Sequence, residues 1–168
     1  MSKGIFIQMT GLSGAGKTTL ATAVREELIS RGIQNIEIID GDEYRAGLCS
    51  DLGFSKGDRN TNVRRLGFVG RVLARNNVIA IMSAINPYEE VRQEIGGKLV
   101  YIKTGLEAVI DRDVKGLYAK ALSGEIPNFT GISDPFEEPL TADLVIETDK
   151  DTVQNCTKQL CDFIVACT

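Results

Sequence analysis

Five short apolar runs, GIFIQM, NIEIID, VIAIMSA, KLVYIKT and ADLVIET, recur along the chain with amphipathic helical patterns between them. The runs are apolar on both faces, which suits central strands of a parallel sheet covered by helices on each side. Their regular alternation with helices restricts the fold to a doubly wound α/β domain, a mainly parallel five-stranded sheet with helices on both faces. Ligands in such a domain sit at the carboxyl ends of the strands. Apolar spacing predicts a helix over residues 17–30, stopped by Gly32, and a second near residues 60–75 with Val63, Leu66, Val69, Val72 and Leu73 along one stripe. LEAVIDRDVKGLYAKAL reads as helix after the fourth run. TVQNCTKQLCDFI reads as the last helix, with Val153, Cys156, Leu160, Phe163 and Ile164 on one face. At 168 residues and 43% hydrophobic content, a single domain over residues 1–168, with one site, is the expectation.

Directly after the first run comes GLSGAGKT, residues 11–18, which fits GxxxxGK[ST] with Gly11, Gly16, Lys17 and Thr18 in place. Glycines let the backbone curl so that successive N–H groups point inward, and the following helix N-terminus adds partial positive charge for a phosphate. Lys17 is placed for the β and γ phosphates and the Thr18 hydroxyl for Mg²⁺. Ser13, Gly14, Ala15 and Thr19 complete the candidate nucleotide-binding stretch. Strand, loop and helix in this order predict a P-loop nucleoside triphosphate hydrolase fold that binds ATP or GTP.

The stretch IIDGDEYR sets Asp40 and Asp42 behind a run of isoleucines. Asp, Gly and Asp are also ordinary turn residues. In a P-loop fold, however, the end of the strand beside the first lies near the γ-phosphate. A carboxylate there holds Mg²⁺ through water or accepts a proton from the attacking hydroxyl. With the second run taken as that neighbour, Asp40 occupies that end and joins Lys17 as a candidate catalytic residue, and Thr18 and Asp40 form the metal set. Residues 42–65 offer the guanidinium groups of Arg45, Arg59, Arg64 and Arg65, a stacking face from Phe54 and the amide of Asn62, a combination suited to a nucleotide-like anion. Taken singly, Arg64 and Arg65 read as a solvated helix face.

Other chemistries are excluded by composition. The chain has no histidine, so Ser-His-Asp and Cys-His mechanisms are absent and protons must move through Asp, Glu, Lys, Tyr or water. Cys49, Cys156, Cys161 and Cys167 form no CxxC pair and read as buried or incidental thiols. A net charge of -4 gives no general attraction for nucleic acid or an anionic membrane. The N-terminal MSKGIFIQMTG lacks a signal-peptide core and cleavage site, which makes a cytoplasmic location the expectation.

The succession GLSGAGKTT, DGDxxR, LGFSxxDRNxN(V/I)RR, SAIxPY, RDVKGLYxKA and GEIxxFTGIxDPxExP, over residues 11–139, closely resembles the adenylylsulfate kinase (APS kinase) family. The resemblance implies Mg²⁺-dependent transfer of the ATP γ-phosphate to the 3′-hydroxyl of adenosine 5′-phosphosulfate (APS), giving PAPS, the sulfate donor of sulfate assimilation, and a homodimer. It further implies that Asp40 lies near Mg²⁺ and the acceptor hydroxyl with Asp42 as companion, and that Arg45, Arg59 and Asn62 hold the phosphosulfate nucleotide. Phe54 and Phe129 match the two rings that sandwich the acceptor adenine, and the backbone at Ile85 contacts the same nucleotide. RDVKGLYAKALSGEIPNFTG resembles a mobile lid, with Arg112 near the ATP adenine and Lys115 near the acceptor. Without the family, Phe129 reads as a core ring and KGLYAKAL as a surface helix.

Two departures stand out. The family pattern SxISPY has a serine, taken as a phosphorylation site, where SAINPY has Asn86. An amide forms no phosphoserine-like intermediate, so direct in-line transfer is the simpler mechanism, with Asn86 as a hydrogen-bonding group near the acceptor. The segment over residues 92–106 is also shorter than the family pattern, with KTG where an acidic or amide residue and Ala-Pro are common. Two other readings therefore stand beside APS kinase: a kinase of another modified nucleotide, such as a cytidine diphosphoramidate, and a catalytically weak nucleotide-binding regulatory module.

Overall fold

Period-two alternation sorts the strand side chains into two cores. In the computed structural model, which describes residues 3–168, the strands are β1 (Ile5–Thr10), β2 (Ile36–Asp40), β3 (Ile79–Ser83), β4 (Lys98–Lys103) and β5 (Leu144–Glu147). All pair in parallel, in the order β2-β3-β1-β4-β5. Ile7 and Met9 of β1, Ile79 and Ile81 of β3, and Val100 and Ile102 of β4 pack with Val24 and Leu28 of α1 (Lys17–Ser30) and with Leu160 and Ile164 of α7 (Val153–Cys167). One residue out of step, Phe6, Ala80 and Met82 face the other side. There they meet Val63 and Leu66 of α3 (Lys56–Ala74) and Val91 and Ile95 of α4 (Glu89–Ile95). Each fully buried aliphatic side chain contributes about 1.5–3 kcal/mol. A sheet with both faces covered is therefore the stable solution for strands apolar on both sides.

Two glycines let α3 lie close against its neighbours. A Cβ on Gly70 would stand 2.3 Å from the Phe6 ring, and one on Gly67 would stand 2.7 Å from Ile95. Close packing leaves no slack for either atom, so a larger residue at these positions would push α3 off the sheet.

The structure corrects several expectations. β3, and not β2, lies beside β1, so Asp40 sits one strand further out than the sequence reading placed it. In register Asp40 stands opposite Ser83, and Ser83 opposite Met9, so the carboxyl ends of the three strands still share one edge. The residues after Asp40 form a short helix, α2 (Gly41–Ala46), where a turn was the alternative. Its start is marked by Asp40 followed three residues later by Glu43, a capping pattern. α3 begins at Lys56, capped by the Ser55 hydroxyl that accepts from Asp58 N–H at 3.1 Å, and α4 was not anticipated.

LEAVIDRDVKGLYAKAL is two helices, α5 (Leu106–Arg112) and α6 (Leu117–Leu122). Positive φ angles at Asp113 and Gly116 break the run, and the Asp113 carboxylate accepts from the Tyr118 and Ala119 N–H groups to start the second helix. These helices build a small third core of Val109, Tyr118, Ala121 and Phe129. On α7, Val153 is exposed, and Thr157 and Cys161 are buried on the helix instead. Among the described residues no helix is long and apolar enough to cross a membrane.

Candidate active site

The loop between β1 and α1 turns twice through left-handed backbone, at Gly14 (φ 77°) and Gly16 (φ 99°), a conformation that side chains disfavour. Behind it Lys17 is buried, donating to the Gly11 and Leu12 carbonyls at 2.8 and 2.7 Å. Burial, then the Lys115 charge, pull its ammonium down to about 7 against the opposing pull of Asp42 and Asp40. One residue on, Thr18 Oγ1 donates to Asp40 Oδ2 at 2.9 Å and lies 3.1 Å from Ser83 Oγ. Three oxygens from three elements thus meet beside the phosphate loop, a hard donor set of the type that suits Mg²⁺.

Asp40 also caps α2. Its Oδ1 accepts from the Asp42 and Glu43 N–H groups at 2.9 and 3.2 Å, which leaves Oδ2 facing Thr18. Asp42, in the first turn of α2, forms an ion pair with Lys115.

Further along the cleft Arg45 donates to the Gly53 carbonyl at 2.9 Å, and Arg59 donates to the carbonyls of Phe54 (3.1 Å) and Asn128 (2.6 Å). Both guanidinium groups stack on Phe54, with their centres 4.4 and 5.4 Å from the ring centroid. Burial and then the neighbouring Arg45 lower the Arg59 pKa. Among the described residues neither arginine forms an ion pair, so two cations stand together without a carboxylate to neutralise them. Asn62 adjoins them, buried, with Oδ1 lacking a partner.

One cleft of about 280 Å³ joins these groups. Ser13, Gly14, Gly16, Lys17, Thr18 and Thr19 line one end, Arg45, Phe54, Arg59 and Asn62 the other, and Asp40, Asp42, Ile85, Asn86 and Lys115 lie along the same wall system. Gly11 and Ala15 are buried behind the loop and do not line the cleft, nor do Arg112 and Phe129. Arg112 instead reaches Gly14 O at 3.4 Å and Thr148 O at 3.1 Å. Phe129 packs edge-on against Tyr118, ring centroids 5.0 Å apart. Arg64 and Arg65 lie outside the cleft: Arg64 pairs with Glu94 and Arg65 with Asp51, because both project from the solvent side of α3.

A family model described as adenylylsulphate kinase matches residues 3–147. The chain belongs to the adenylylsulphate kinase family. It is 52% identical over 166 residues to an adenylyl-sulfate kinase of Deinococcus deserti, covering 96% of this chain and 91% of that one. With the adenylyl-sulfate kinase of Halothermothrix orenii the identity is 48%, over 96% of this chain and 90% of the relative. Among solved structures, the Mycobacterium tuberculosis APS kinase in complex with AMPPNP and APS superposes with a TM-score of 0.90 at 37% identity, covering 98% of this chain and 99% of that one. The chain is thus a kinase of the P-loop fold.

Within this adenylylsulphate kinase family member, Asn86 is held by an amide chain that sequence reading missed. Gln8 Nε2 donates to the carbonyls of Arg92 and Gly96, both at 2.8 Å, which leaves Gln8 Oε1 to accept from Asn86 Nδ2 at 2.9 Å. Asn86 is buried with φ 50°, a left-handed conformation that asparagine tolerates better than most residues. Its carbonyl accepts from Arg92 Nη1 at 2.9 Å, and Arg92, itself fully buried, pairs with Glu89 at 2.7 Å. The Glu89 to Arg92 spacing of three residues on a helix is the one local signal for that pair. Ser83, Gln8, Tyr118 and Thr148 carry no comparable signal, since each acts on a residue distant in sequence.

Proposed function

We propose that this protein transfers the γ-phosphate of ATP to the 3′-hydroxyl of adenosine 5′-phosphosulfate, giving PAPS and ADP. One observation carries the reading: a single cleft runs from a phosphate loop, past a carboxylate, to a second cationic end with an exposed ring. Two anionic nucleotides placed end to end match that layout. The family membership and the likeness to an APS kinase that binds AMPPNP and APS support the choice of nucleotides.

In this reading Lys17 exchanges the Gly11 and Leu12 carbonyls for the β and γ phosphates. Thr18 and Asp40, with Ser83 beside them, would hold Mg²⁺, which would supply charge neutralisation for the phosphates. Asp40 takes the proton of the acceptor hydroxyl as it attacks in line, and Asp42 supports that corner. Arg45, Arg59 and Asn62 hold the phosphosulfate end, while Phe54 stacks on the acceptor base, worth about 1–3 kcal/mol. Phe129 completes the stack once the stretch after α6, residues 123–131, carries its ring over the cleft while α6 stays against the phosphate loop, and Ile85, Asn86 and Lys115 border the same nucleotide. Ser13, Gly14, Gly16 and Thr19 line the triphosphate, Gly11 and Ala15 shape the loop from behind, and Arg112 flanks the ATP base. Asn86 offers no hydroxyl to phosphorylate, so transfer is direct.

The chain works as one domain and, in this proposal, as a cytoplasmic homodimer. Three buried thiols without a disulfide among the four cysteines accord with a reducing compartment. Coupled ADP release with Mg-ATP tests the reaction, comparing APS, a cytidine diphosphoramidate and no acceptor, with products identified by mass and the oligomer by light scattering. PAPS at a kcat in the range of about 1–100 s⁻¹ is expected. Release that ignores APS and responds to the other nucleotide would overturn the acceptor, and no release above control would overturn the kinase reading.

A further inference from the structure

A trans peptide unit carries its C=O and N–H on opposite sides. A phosphate cradle made of inward N–H groups therefore turns carbonyls outward, and each buried carbonyl needs a donor. Around the phosphate loop those donors are side chains from elsewhere in the fold. Tyr118 Oη donates to Ser13 O at 2.7 Å, and Thr148 Oγ1 donates to Ala15 O, also at 2.7 Å. Between them Arg112 Nη1 reaches Gly14 O at 3.4 Å. Three consecutive loop carbonyls are thus met by α6, α5 and the residue that follows β5.

We infer that Tyr118 and Thr148 are positioning residues for the triphosphate, which hold the loop carbonyls outward so that the Gly14 and Gly16 N–H groups face the phosphates. The inference rests on the ATP reading of the cleft. The peptide unit whose carbonyl Tyr118 holds carries the Gly14 N–H at its other end, and the one Thr148 holds carries the Gly16 N–H. Among the described residues neither N–H donates to another backbone carbonyl outside regular elements. Gly14 and Gly16, both with left-handed φ angles, have no Cβ to restrict the backbone, so these peptide planes can rotate unless something pins them.

Thr148 is itself backed by Thr104, a buried residue of the KTG segment. Their hydroxyl oxygens are 2.5 Å apart, so Thr148 can give its proton to Ala15 O while Thr104 gives its own to Thr148 Oγ1. The carbonyl of Thr148 accepts from Arg112 Nη2 at 3.1 Å, which ties α5 to the same corner. Tyr118 is suited to a permanent donor role, since burial, then the Asp113 charge, push its phenol up to about 12.

The test is calorimetric binding of Mg-AMPPNP to the full chain, with Tyr118→Phe, Thr148→Val, Thr148→Ser and Thr104→Val, alongside ATP and APS KM values. Removing one such donor should weaken AMPPNP binding by about five- to tenfold. The ATP KM should rise in parallel with the APS KM unchanged, Thr148→Ser should restore binding, and Thr104→Val should act in the same direction but less. Because this binding needs no acceptor, failure of the wild type to bind AMPPNP would sink the ATP reading itself. Wild-type binding with equal binding by Tyr118→Phe and Thr148→Val would sink the positioning role, as would a lowered Tm without an affinity change. Thr148→Ser as weak as Thr148→Val would mean that a hydroxyl at this position is not sufficient, and would overturn the hydrogen-bond role of Thr148. Should Thr148→Val fail to fold, Tyr118→Phe, which removes one oxygen atom, decides alone.

Discussion

Lys115, in the break between α5 and α6, forms an ion pair with Asp42 of α2, and this contact joins two rims of the cleft. Both side chains are more than half exposed, and such a pair contributes about 1 kcal/mol at most. A contact that weak yields readily to an anionic substrate. Lys115→Met should therefore raise the APS KM by about tenfold and leave Tm and the ATP KM nearly unchanged. Steady-state kinetics with each substrate varied in turn checks this, and an effect confined to the ATP KM would contradict it.

Asp40 has two separable tasks, capping α2 through Oδ1 and facing Thr18 through Oδ2. Asparagine caps helices as well as aspartate does but cannot accept a proton in the same way. Asp40→Asn should keep Tm within a few degrees while lowering kcat by about 10²–10⁴-fold. Turnover close to wild type would remove Asp40 from the proton transfer.

Asn86 joins a left-handed backbone to an amide bond with Gln8. Asn86→Ala strains the backbone and leaves the buried Gln8 oxygen without its donor, a loss of about 1–3 kcal/mol. For a chain of this size that lowers Tm by roughly 2–4 °C per kcal/mol. Asn86→Gly should recover the backbone part alone, and a scan showing Asn86→Ala as stable as wild type would refute the account.

Asp143 receives Lys98 Nζ and Leu99 N–H, both at 2.8 Å, where β4 and β5 begin. Burial pushes its carboxyl up, but the hydrogen bonds from Lys98 and the Leu99 N–H outweigh this and hold it below the usual carboxylate range. A carboxyl depressed in the folded state adds stability above its unfolded value, near 3.9, and loses it as pH falls through the folded value. Asp143→Asn should therefore cost about 1 kcal/mol in urea unfolding at pH 7. The difference from wild type should shrink toward pH 3; a constant difference would mean that the charge is not what stabilises the site.

The doubly wound fold and the phosphate end of the cleft were legible in the chain because both are local. Runs apolar on both faces and the spacing of glycines in GLSGAGKT express constraints that act within a few residues. Strand order was decided by tertiary structure: β3 slips between β1 and β2, since parallel pairing joins segments far apart in sequence and nothing in NIEIID names its neighbour. The same holds for side-chain direction. Arg59 and Arg64 lie on one helix five residues apart, yet α3 turns Arg59 into the cleft and Arg64 out to Glu94. Family resemblance put Phe129 near the acceptor and the residues alone made it a core ring; the core position against Tyr118 is where the packing of α6 sets it. Sequence alone determined which chemical groups are present and which local turns they can make. Only the packed fold decided which of them face one another, because burial and hydrogen-bond pairing are settled between distant segments.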